Sequence, residues 1–408
     1  MKRFWLLSVL ICCFFSQGCF NTTPKSPQGL PVFDFTQKYP EREFIVSDID
    51  KEFIPLETTN DVLADQDFSI NYVSKKYIVG VNRSRGDILI FGRDGKVITS
   101  FNRKGNSGLE YTSLTSLVFD ENGQEIFIAD DTGTNRCAVY SVDGKFLRQF
   151  HFPSNSYITD LYNFDDETLL AYNGIPRAMS MIEQYPELIK HIKEMPEEFH
   201  INQKMPYVFL SKKDGSFVSR LDVLLPQRLS DNYKIKINGN DITWSISSRS
   251  SILKSGRECI ISDRSSDTVF LLTQDKKLTP LFVQSPTVID KKYVIYINFK
   301  ADNYLFFYTL PLPPFYDWGG LIEQYIKELP VKSPTNFFMF DLHTGHIFSI
   351  EGSEFYCVDL PEKTAVRSIT ADSLIEDLEN GKLHGKLKII AQNIKEEDNP
   401  VVEIIRFK

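Results

Sequence analysis

Short apolar runs separated by tight polar turns give the central part of the chain its pattern. Between Leu117 and Phe150, four such runs are joined by turns that begin at Glu121, Asp131 and Asp143 and each contain a glycine. β-Branched and aromatic residues bounded by Asn-Gly or Asp-Gly are typical of antiparallel strands joined as hairpins. The stretch therefore predicts a four-stranded antiparallel sheet, which is the unit of one propeller blade.

The same strand–turn–strand pattern recurs at four other places. One copy precedes the central stretch, and its Asp94-Gly turn corresponds to Asp143-Gly in the next unit. Another copy begins at Cys259, and two more, which begin at Leu169 and Tyr304, are each split by a long insert. A repeat period of about 40–50 residues indicates a repeat architecture and not a two-domain enzyme.

A sixth unit is predicted from the two ends of the chain. Glu52–Leu56 and Val401–Ile405 are apolar and strand-like, and Tyr356–Val358 and Leu387–Ile390 are further candidates for its strands. A blade that is shared between the termini leaves no open edge in the ring. We therefore predict an all-β fold, a six-bladed β-propeller with helical inserts on one face and a last blade closed by both termini.

Both long inserts fall between the second and third strands of their units, at Asn173–Pro206 and Pro311–Asn336. If the strands of a blade run from the inside to the outside as A to D, the B–C loops and the D-to-A crossovers emerge on the same face. Each insert has apolar residues at helical spacing, such as Leu321, Tyr325 and Leu329. The helices either pack onto the propeller or form a lid or docking element.

Residues 1–18 have the features of a bacterial lipoprotein signal peptide. Lys2 and Arg3 precede an apolar run that is too short to span a bilayer, and Gly18 stands directly before Cys19, as in a lipobox. The alternative is an ordinary secretory signal that is cleaved elsewhere. We expect Cys19 to be lipidated and to hold the protein to a membrane.

The signal peptide sets the domain organisation and the expected location. Residues 19–40 are predicted as a lipidated N-terminus and linker, and residues 41–408 as the propeller. The sequence after Cys19 has neither the adjacent Asp that would resemble an inner-membrane retention signal nor the acidic run that would resemble a surface-export signal. This favours anchoring to the outer membrane on its periplasmic side.

Net charge and residue spacing argue against several classes of partner and cofactor. The formal net charge of −8 argues against a nucleic-acid partner, because phosphate binding needs a basic face. The cysteines of the mature chain are too widely spaced for a disulfide framework or a metal site, and His343 and His346 straddle a turn without a third ligand. We therefore expect no cofactor and no metal.

The segment Pro311–Gly320 carries the most unusual composition in the chain. Phe315, Tyr316 and Trp318 lie among prolines that restrict the backbone. These rings either form a hydrophobic cluster beneath the loop or present an aromatic platform to a glycan or peptide. They are our first candidates for ligand binding.

A second candidate group lies in the loops of the central unit. Asp130, Asn135 and Arg136 flank a predicted B–C loop, and Glu110 and Tyr111 end the crossover that precedes it. These side chains either line the mouth of the central channel or satisfy backbone groups within their own loops. No residue stands out as a catalytic nucleophile or base.

Three segments resemble a known family. Asp130–Phe146 resembles an NHL-type propeller repeat. Arg103–Tyr111 resembles the Gly-rich inter-blade loop of the six-bladed β-propeller lipoproteins common in Bacteroidetes, and Asp398–Val401 resembles their C-terminal signature. The resemblance extends from about Glu41 to Lys408. It implies a propeller fold and an envelope location, and it implies no established reaction.

The function expected from these features is that of an envelope-anchored lipoprotein that acts as a binding or interaction module. Its ligand would be a glycan or a partner envelope protein held on the insert-bearing propeller face. The alternative is a propeller enzyme, a lyase or hydrolase, with its site at the mouth of the central channel. A purely structural envelope role is the third possibility.

Overall fold

The computed structural model describes residues 25–27, 29–42, 49–130, 135–175, 188–225, 227–228, 232–237, 240–245, 251–287, 293–311, 336–350 and 364–407. The strands of its first half are β1 (Val32–Asp34), β2 (Ile49–Pro55), β3 (Phe68–Val73), β4 (Tyr77–Asn82), β5 (Asp87–Gly92), β6 (Val97–Asn102), β7 (Ser116–Asp120), β8 (Glu125–Asp130), β9 (Arg136–Ser141), β10 (Phe146–His151), β11 (Ile158–Asn163), β12 (Thr168–Asn173), β13 (Tyr207–Ser211) and β14 (Phe217–Arg220).

The second half is also mostly β. Its strands are β15 (Asn232–Ile237), β16 (Asn240–Ser245), β17 (Ile252–Ser255), β18 (Glu258–Ile261), β19 (Thr268–Leu272), β20 (Leu278–Ser285), β21 (Tyr293–Ala301), β22 (Tyr304–Pro311), β23 (Asn336–Asp341), β24 (Ile347–Ile350), β25 (Thr364–Ile369) and β26 (Val401–Phe407). The helices are α1 (Leu188–Lys193), α2 (Glu197–Lys204), α3 (Ala371–Glu379) and α4 (Gly385–Ala391).

The strands form a six-bladed β-propeller, as predicted. Blades 1, 2 and 3 are β3–β6, β7–β10 and β11–β14, and blades 4 and 5 are β17–β20 and β21–β24. Within each of these blades, consecutive strands are antiparallel neighbours. The β15–β16 pair is a separate hairpin between blades 3 and 4, which the sequence analysis did not identify.

Blade 6 is built from both ends of the chain, which confirms the predicted ring closure. The C-terminal β26 pairs with β2 on one side, from Ile49 opposite Phe407 to Pro55 opposite Val401, and with β25 on the other. β2 leads directly into β3 of blade 1 and therefore has the direction of an outermost strand. β25, β26 and β2 thus take positions B, C and D, and no described strand occupies position A.

Tight turns with glycine set the spacing of the outer strands. The C–D turns of blades 1, 2 and 3 contain Gly95, Gly144 and Gly215, with φ of 82°, 77° and 72°. A side chain is disfavoured at these angles, so the Asp-Gly turn signal in the sequence marks these positions reliably. The C–D turns lie on the face opposite the crossovers.

The hydrophobic core lies between neighbouring blades. One fully buried cluster joins blades 1 and 2 and includes Val79, Ile90, Phe119 and Tyr140. Because side chains alternate between the two surfaces of a strand, each blade contributes to the cluster on either side of it. The ring is therefore held together by apolar contacts between neighbouring twisted sheets, and its loops are left for other roles.

Four long connections emerge on one face, which we call the insert-bearing face. α1 and α2 lie between strands B and C of blade 3, and α3 and α4 between strands B and C of blade 6. The chain between β22 and β23 is the B–C insert of blade 5, and the β15–β16 hairpin lies in the crossover from blade 3 to blade 4. The predicted insert positions in blades 3 and 5 are confirmed, and blade 6 carries a third.

One strand prediction was wrong. Leu387–Ile390 lies in α4 and not in a strand of blade 6. A four-residue segment with three apolar positions fits either period, and here Leu387 and Ile390 pack with Leu374 and Leu383 beside the end of the ring. The other candidate, Tyr356–Val358, lies outside the described residues.

The segment predicted as the end of the linker also takes part in the fold. Val32–Asp34 forms β1, which adds a fifth strand to blade 4 by pairing in parallel with β20. Phe33 in this strand is 1% exposed. The part of the chain that packs on the propeller therefore includes residues on the N-terminal side of Glu41.

Candidate functional site

Glu110 and Tyr111, two of the predicted binding residues, close the crossover between blades 1 and 2. The Tyr111 side chain is fully buried, and its hydroxyl donates to the Gly86 carbonyl at 2.5 Å and accepts from the Arg103 N–H at 3.0 Å. Burial raises the pKa of Tyr111 to about 12. The Glu110 carboxylate accepts the Ser107 N–H at 2.9 Å, which lowers the pKa of Glu110.

Asp130, Asn135 and Arg136 lie at the ends of β8 and β9 on the same face. The Arg136 guanidinium donates to the Glu110 carbonyl at 2.6 Å and lies 3.4 Å from the Asp130 carboxylate. The Asn135 amide, in contrast, faces Ser156 in the next crossover at 3.5 Å. The structure thus brings Asp130, Arg136 and the main chain of Glu110 together at a buried position. Tyr111 and Asn135 are directed elsewhere, to Gly86 and to Ser156.

A buried polar residue ends strand B in blades 1, 2 and 3, and we call these three residues latches because each binds the backbone of a crossover. Asn82, Asp130 and Asn173 are all at most 1% exposed. Each accepts a hydrogen bond from a backbone N–H in the crossover that leads into the same blade, donated by Asp65 at 3.1 Å, Thr112 at 2.8 Å and Tyr157 at 3.0 Å, respectively. These contacts fix the crossovers that form the insert-bearing face. Ligand binding by Asp130 stays a prediction.

A larger buried polar cluster lies between blades 3 and 4, and the sequence analysis missed it. The Asp263 carboxylate, 4% exposed, accepts from the hydroxyls of Tyr172 at 3.0 Å and Tyr207 at 2.8 Å. Arg228 donates to the Tyr172 hydroxyl at 2.8 Å and to the Gln203 carbonyl in α2 at 3.0 Å. The cluster thereby fastens α2 and the following crossover to the ring.

Burial of Tyr207, with the Asp263 charge beside it, raises the pKa of Tyr207 well above its ordinary value. The phenol therefore remains a hydrogen-bond donor to Asp263 throughout the physiological range. A sequence signal existed, since Asp263 follows the apolar strand β18 as Asp130 ends β8. The partners Tyr172 and Arg228 are far from Asp263 in sequence and could be found only from the fold.

The insert-bearing face also exposes several large apolar side chains. Leu63, Leu109 and Leu224 lie in crossovers, and Met195 and Ile389 in the inserts of blades 3 and 6. The exposed fractions of Leu109, Leu224 and Ile389 are 60%, 61% and 63%. Ile98 and Leu147, by comparison, are 49% and 46% exposed at the start of outermost strands, near the opposite face.

An acidic pair lies in the crossover from blade 6 to blade 1. Burial raises the pKa of Asp65 to about 6, and a side-chain hydrogen bond with Asp67 contributes to this shift. The same hydrogen bond lowers the pKa of Asp67. The pair therefore shares one proton in mildly acidic solution, with Asp65 as the protonated partner.

The stability of the fold should depend on pH through Asp65. Its folded pKa lies above the unfolded value of about 3.9, so this contribution to stability is present below pH ~4 and is lost as the pH rises through ~6. Asp65→Asn, which stays neutral, should remove that loss. Urea unfolding at pH 4.5 and 7.5 measures the change for each variant. Asp61→Asn, at an exposed position of the same crossover, is the control, and identical pH profiles for wild type and Asp65→Asn would contradict the assignment.

The described part of the chain offers few other groups suited to metal binding or nucleophilic catalysis. No group of three or more His, Cys, Asp or Glu side chains there is arranged to hold a metal ion. Cys137 and Cys259 are buried, and burial raises the pKa of the Cys137 thiol, which disfavours the reactive thiolate. No helix within the described ranges has the length and hydropathy needed to cross a bilayer.

Further predicted residues lie outside the described ranges. They are the aromatic side chains Phe315, Tyr316 and Trp318, the helical-spacing residues Leu321, Tyr325 and Leu329 of the same insert, and the lipidation candidate Cys19. The ends of the connection that holds the aromatic segment, at Pro311 and Asn336, are on the insert-bearing face.

The fold and the loop geometry together define a six-bladed β-propeller whose elaborations are concentrated on one face. The chain belongs to the family described as "Domain of unknown function (DUF4934)", whose pattern matches residues 30–406. No curated protein matches its sequence.

One solved structure shares the fold, and a second is similar at a lower TM-score. A protein of Bacteroides fragilis NCTC 9343 described as a "Putative exported protein" is 14% identical, with a TM-score of 0.58 over 92% of this chain and 99% of that one. A member of the duf4221 family from Bacteroides vulgatus ATCC 8482 is 9% identical, with a TM-score of 0.45 over 88% of this chain and 98% of that one. At such low identity the likeness concerns the fold alone.

Proposed function

We propose that the protein is a binding module of the bacterial envelope that holds a glycan or a partner protein on its insert-bearing face. The observation that supports this most is the placement of the extra chain. The B–C inserts of blades 3, 5 and 6 and the β15–β16 hairpin all emerge on one face of the ring. Recognition residues are commonly carried by loops on a rigid scaffold.

The composition of the described loops also supports a binding role for the insert-bearing face. Leu109, Leu224 and Ile389 are more than half exposed, although each could have been polar without cost to the core. Exposed apolar side chains beside polar ones are typical of surfaces that bind partners. The latches at Asn82, Asp130 and Asn173 hold the crossovers in place. Because these loops are already ordered, the entropic cost of binding is lower.

The proposed location is the outer membrane, with the protein anchored by lipid on Cys19 and directed to the periplasm. The order of basic residues, apolar run and Gly18-Cys19 in the sequence supports it. We also include Phe315, Tyr316 and Trp318 in the proposed binding surface. Their support is the position of their insert on the same face and the affinity of aromatic rings for sugars and apolar side chains.

The binding role is tested by charging the apolar positions of the insert-bearing face. A triple variant with Leu109→Asp, Leu224→Asp and Ile389→Asp should keep its melting temperature, because exposed substitutions usually change stability by less than about 0.5 kcal/mol. It should lose retention on immobilised envelope glycans or on a column of solubilised envelope proteins. Trp318→Ala and Tyr316→Ala enter the same assay, with loss of retention expected.

The matched control is a variant with Ile98→Asp and Leu147→Asp. These side chains are also about half exposed, but they lie near the opposite face. Retention of this control together with loss in the triple variant would support the proposal. Loss in the control with normal retention of the triple variant would refute it.

A further inference from the structure

The outermost strand of blade 4 is not an open edge, because the N-terminal part of the chain covers it. β1 pairs in parallel with the segment Val283–Ser285 of β20. The Val283 N–H donates to the Pro31 carbonyl, and the Phe35 N–H donates to the Ser285 carbonyl, each at 3.0 Å. These bonds show which backbone groups of β20 point outward, away from the other strands of the blade.

Blade 3 has an equivalent edge that no described strand covers. The outermost strands of the two blades each have a β-bulge, at Val218 in β14 and at Leu281 in β20. Counted from the bulge, Arg220–Asp222 corresponds to Val283–Ser285, the segment on which β1 pairs in blade 4. The edge of blade 3 is thus the same acceptor site without its added strand.

The backbone at this edge has the same alternation as in blade 4. The Leu221 N–H donates inward to the Tyr207 carbonyl at 3.0 Å, and the corresponding N–H of blade 4 donates inward at 2.8 Å. Neighbouring residues of a strand direct their backbone groups to opposite sides. The N–H and C=O groups of Arg220 and Asp222 therefore face away from β13.

The side chains along this edge are suited to pairing with an identical strand. Val218 and Leu224 are 46% and 61% exposed, and Phe217 beside them is 49% exposed. Arg220 and Asp222 lie on either side of Leu221. The segment from Val218 to Leu224 therefore has an apolar residue at each end and opposite charges next to its centre.

We propose that two copies of this chain associate through the edge of blade 3, with Leu221 of each copy at a two-fold axis. Two identical strands that meet edge to edge about such an axis are antiparallel. Arg220 then lies opposite Asp222 of the second copy, and Val218 lies opposite the second copy's Leu224. This register joins the outward backbone groups, pairs opposite charges and brings the apolar ends together.

The other open edges among the described strands contain residues that disfavour pairing. Counted from the bulge, Lys104 of blade 1 and Pro153 of blade 2 take the place of Leu224, and β2 of blade 6 contains Lys51 and Pro55. Lysine and proline are residues that protect sheet edges from pairing with another chain. The edge of blade 3 contains neither residue type between its bulge and Leu224.

The proposed interface is small, since it consists of one strand pair and the apolar side chains at its ends. Interfaces below the standard size are typical of weak, transient complexes. We therefore expect a dimer whose population depends on protein concentration. The dimer does not depend on the ligand of the proposed function. Leu224 is also one of the positions charged in the ligand-binding test, so the variants below leave it unchanged.

Light scattering on the full-length protein in excess detergent tests the dimer, with absorbance used to separate the protein mass from the detergent mass. Wild type should change from one to two chains per particle as its concentration rises. Asp222→Pro should stay monomeric, because proline has no N–H to donate outward. Asp222→Ala keeps that N–H. It should weaken association by only roughly 2-fold to 5-fold, because Arg220 also has Glu198 as a partner at 2.9 Å.

Val218→Lys is a second variant, which leaves the backbone of the paired segment unchanged and should also be monomeric. The control is Leu109→Asp with Ile389→Asp, at exposed apolar positions outside blade 3, and it should dimerise like wild type. Wild type that stays monomeric at every concentration would overturn the proposal. Dimerisation of Asp222→Pro and Val218→Lys at the wild-type level would overturn it as well. Column retention is measured separately, so failure of ligand binding and failure of dimerisation are distinguishable.

Discussion

A chain that ends at Pro400 should fail to give a folded, monomeric protein. The truncation removes β26, whose Val401, Val402 and Ile404 are at most 1% exposed. It also leaves β2 and β25 without the strand that lies between them. Burial of each such side chain contributes about 1.5–3 kcal/mol, so the loss approaches the whole stability of a typical domain. Removal of β2 (Ile49–Pro55) should have the same effect.

Size-exclusion chromatography and limited proteolysis measure this outcome. The control is full-length Arg406→Ala, which keeps the strand and removes only an exposed ion pair with Glu52, a contact expected to contribute less than about 1 kcal/mol. Aggregation or rapid digestion is expected for the truncated chain alone. A truncated chain that elutes as a protease-resistant monomer would mean that blade 6 does not need β26.

Phe33→Ala should lower the free energy of unfolding by about 3–5 kcal/mol, the usual range for a buried phenylalanine. The ring is 1% exposed and contacts blade 5 from a strand of blade 4. Its removal leaves a cavity among Phe307, Phe338 and Tyr39 that rigid strands cannot refill. Urea denaturation followed by circular dichroism measures the change.

Phe217→Ala makes the same chemical change at a residue that is 49% exposed at the start of β14. It should cost no more than about 1 kcal/mol, because little area is returned to water. Similar losses from the two variants would show that the N-terminal segment Pro31–Arg42 is not integral to the fold.

Local turn chemistry explains why the propeller could be predicted from the sequence. Asp94-Gly, Asp143-Gly and Asp214-Gly occupy equivalent C–D turns, and each glycine has positive φ. The residues that specify such a turn are adjacent in sequence, so the signal is complete within one unit. The ring closure was predictable for a different reason, since an unpaired edge at each terminus would be unfavourable.

Features that depend on distant partners were not predictable. β1 has three residues, and its partner β20 begins at Leu278, so nothing near Val32 in the sequence reveals the pairing. Asn399, in the segment Asp398–Val401, donates its side-chain amide to the carbonyls of Glu57 at 2.8 Å and Val62 at 2.9 Å. Its role as a clasp between blade 6 and the crossover is visible only in three dimensions.

The candidate site shows the same limit. Asp130 and Arg136 were identified as polar residues beside a loop, and that pattern fits both a ligand site and a latch. Hydrogen-bond partners decide between such roles, and the Thr112 N–H and the Glu110 carbonyl belong to another loop. The exposed Leu109, Leu224 and Ile389 carry no sequence signal at all, because exposure is a property of the assembled ring.

The shared blade also fixes when the ring can be completed during synthesis. The hydrogen bond from the Asn399 N–H to the Thr58 hydroxyl joins residues 341 positions apart, so almost the entire chain must be made before it forms. Closing so long a loop costs entropy and slows folding compared with the local hairpins of blades 1 to 3. Blades 1 to 5 can form in order as the chain grows, and the ring closes only when β26 can pair with β2.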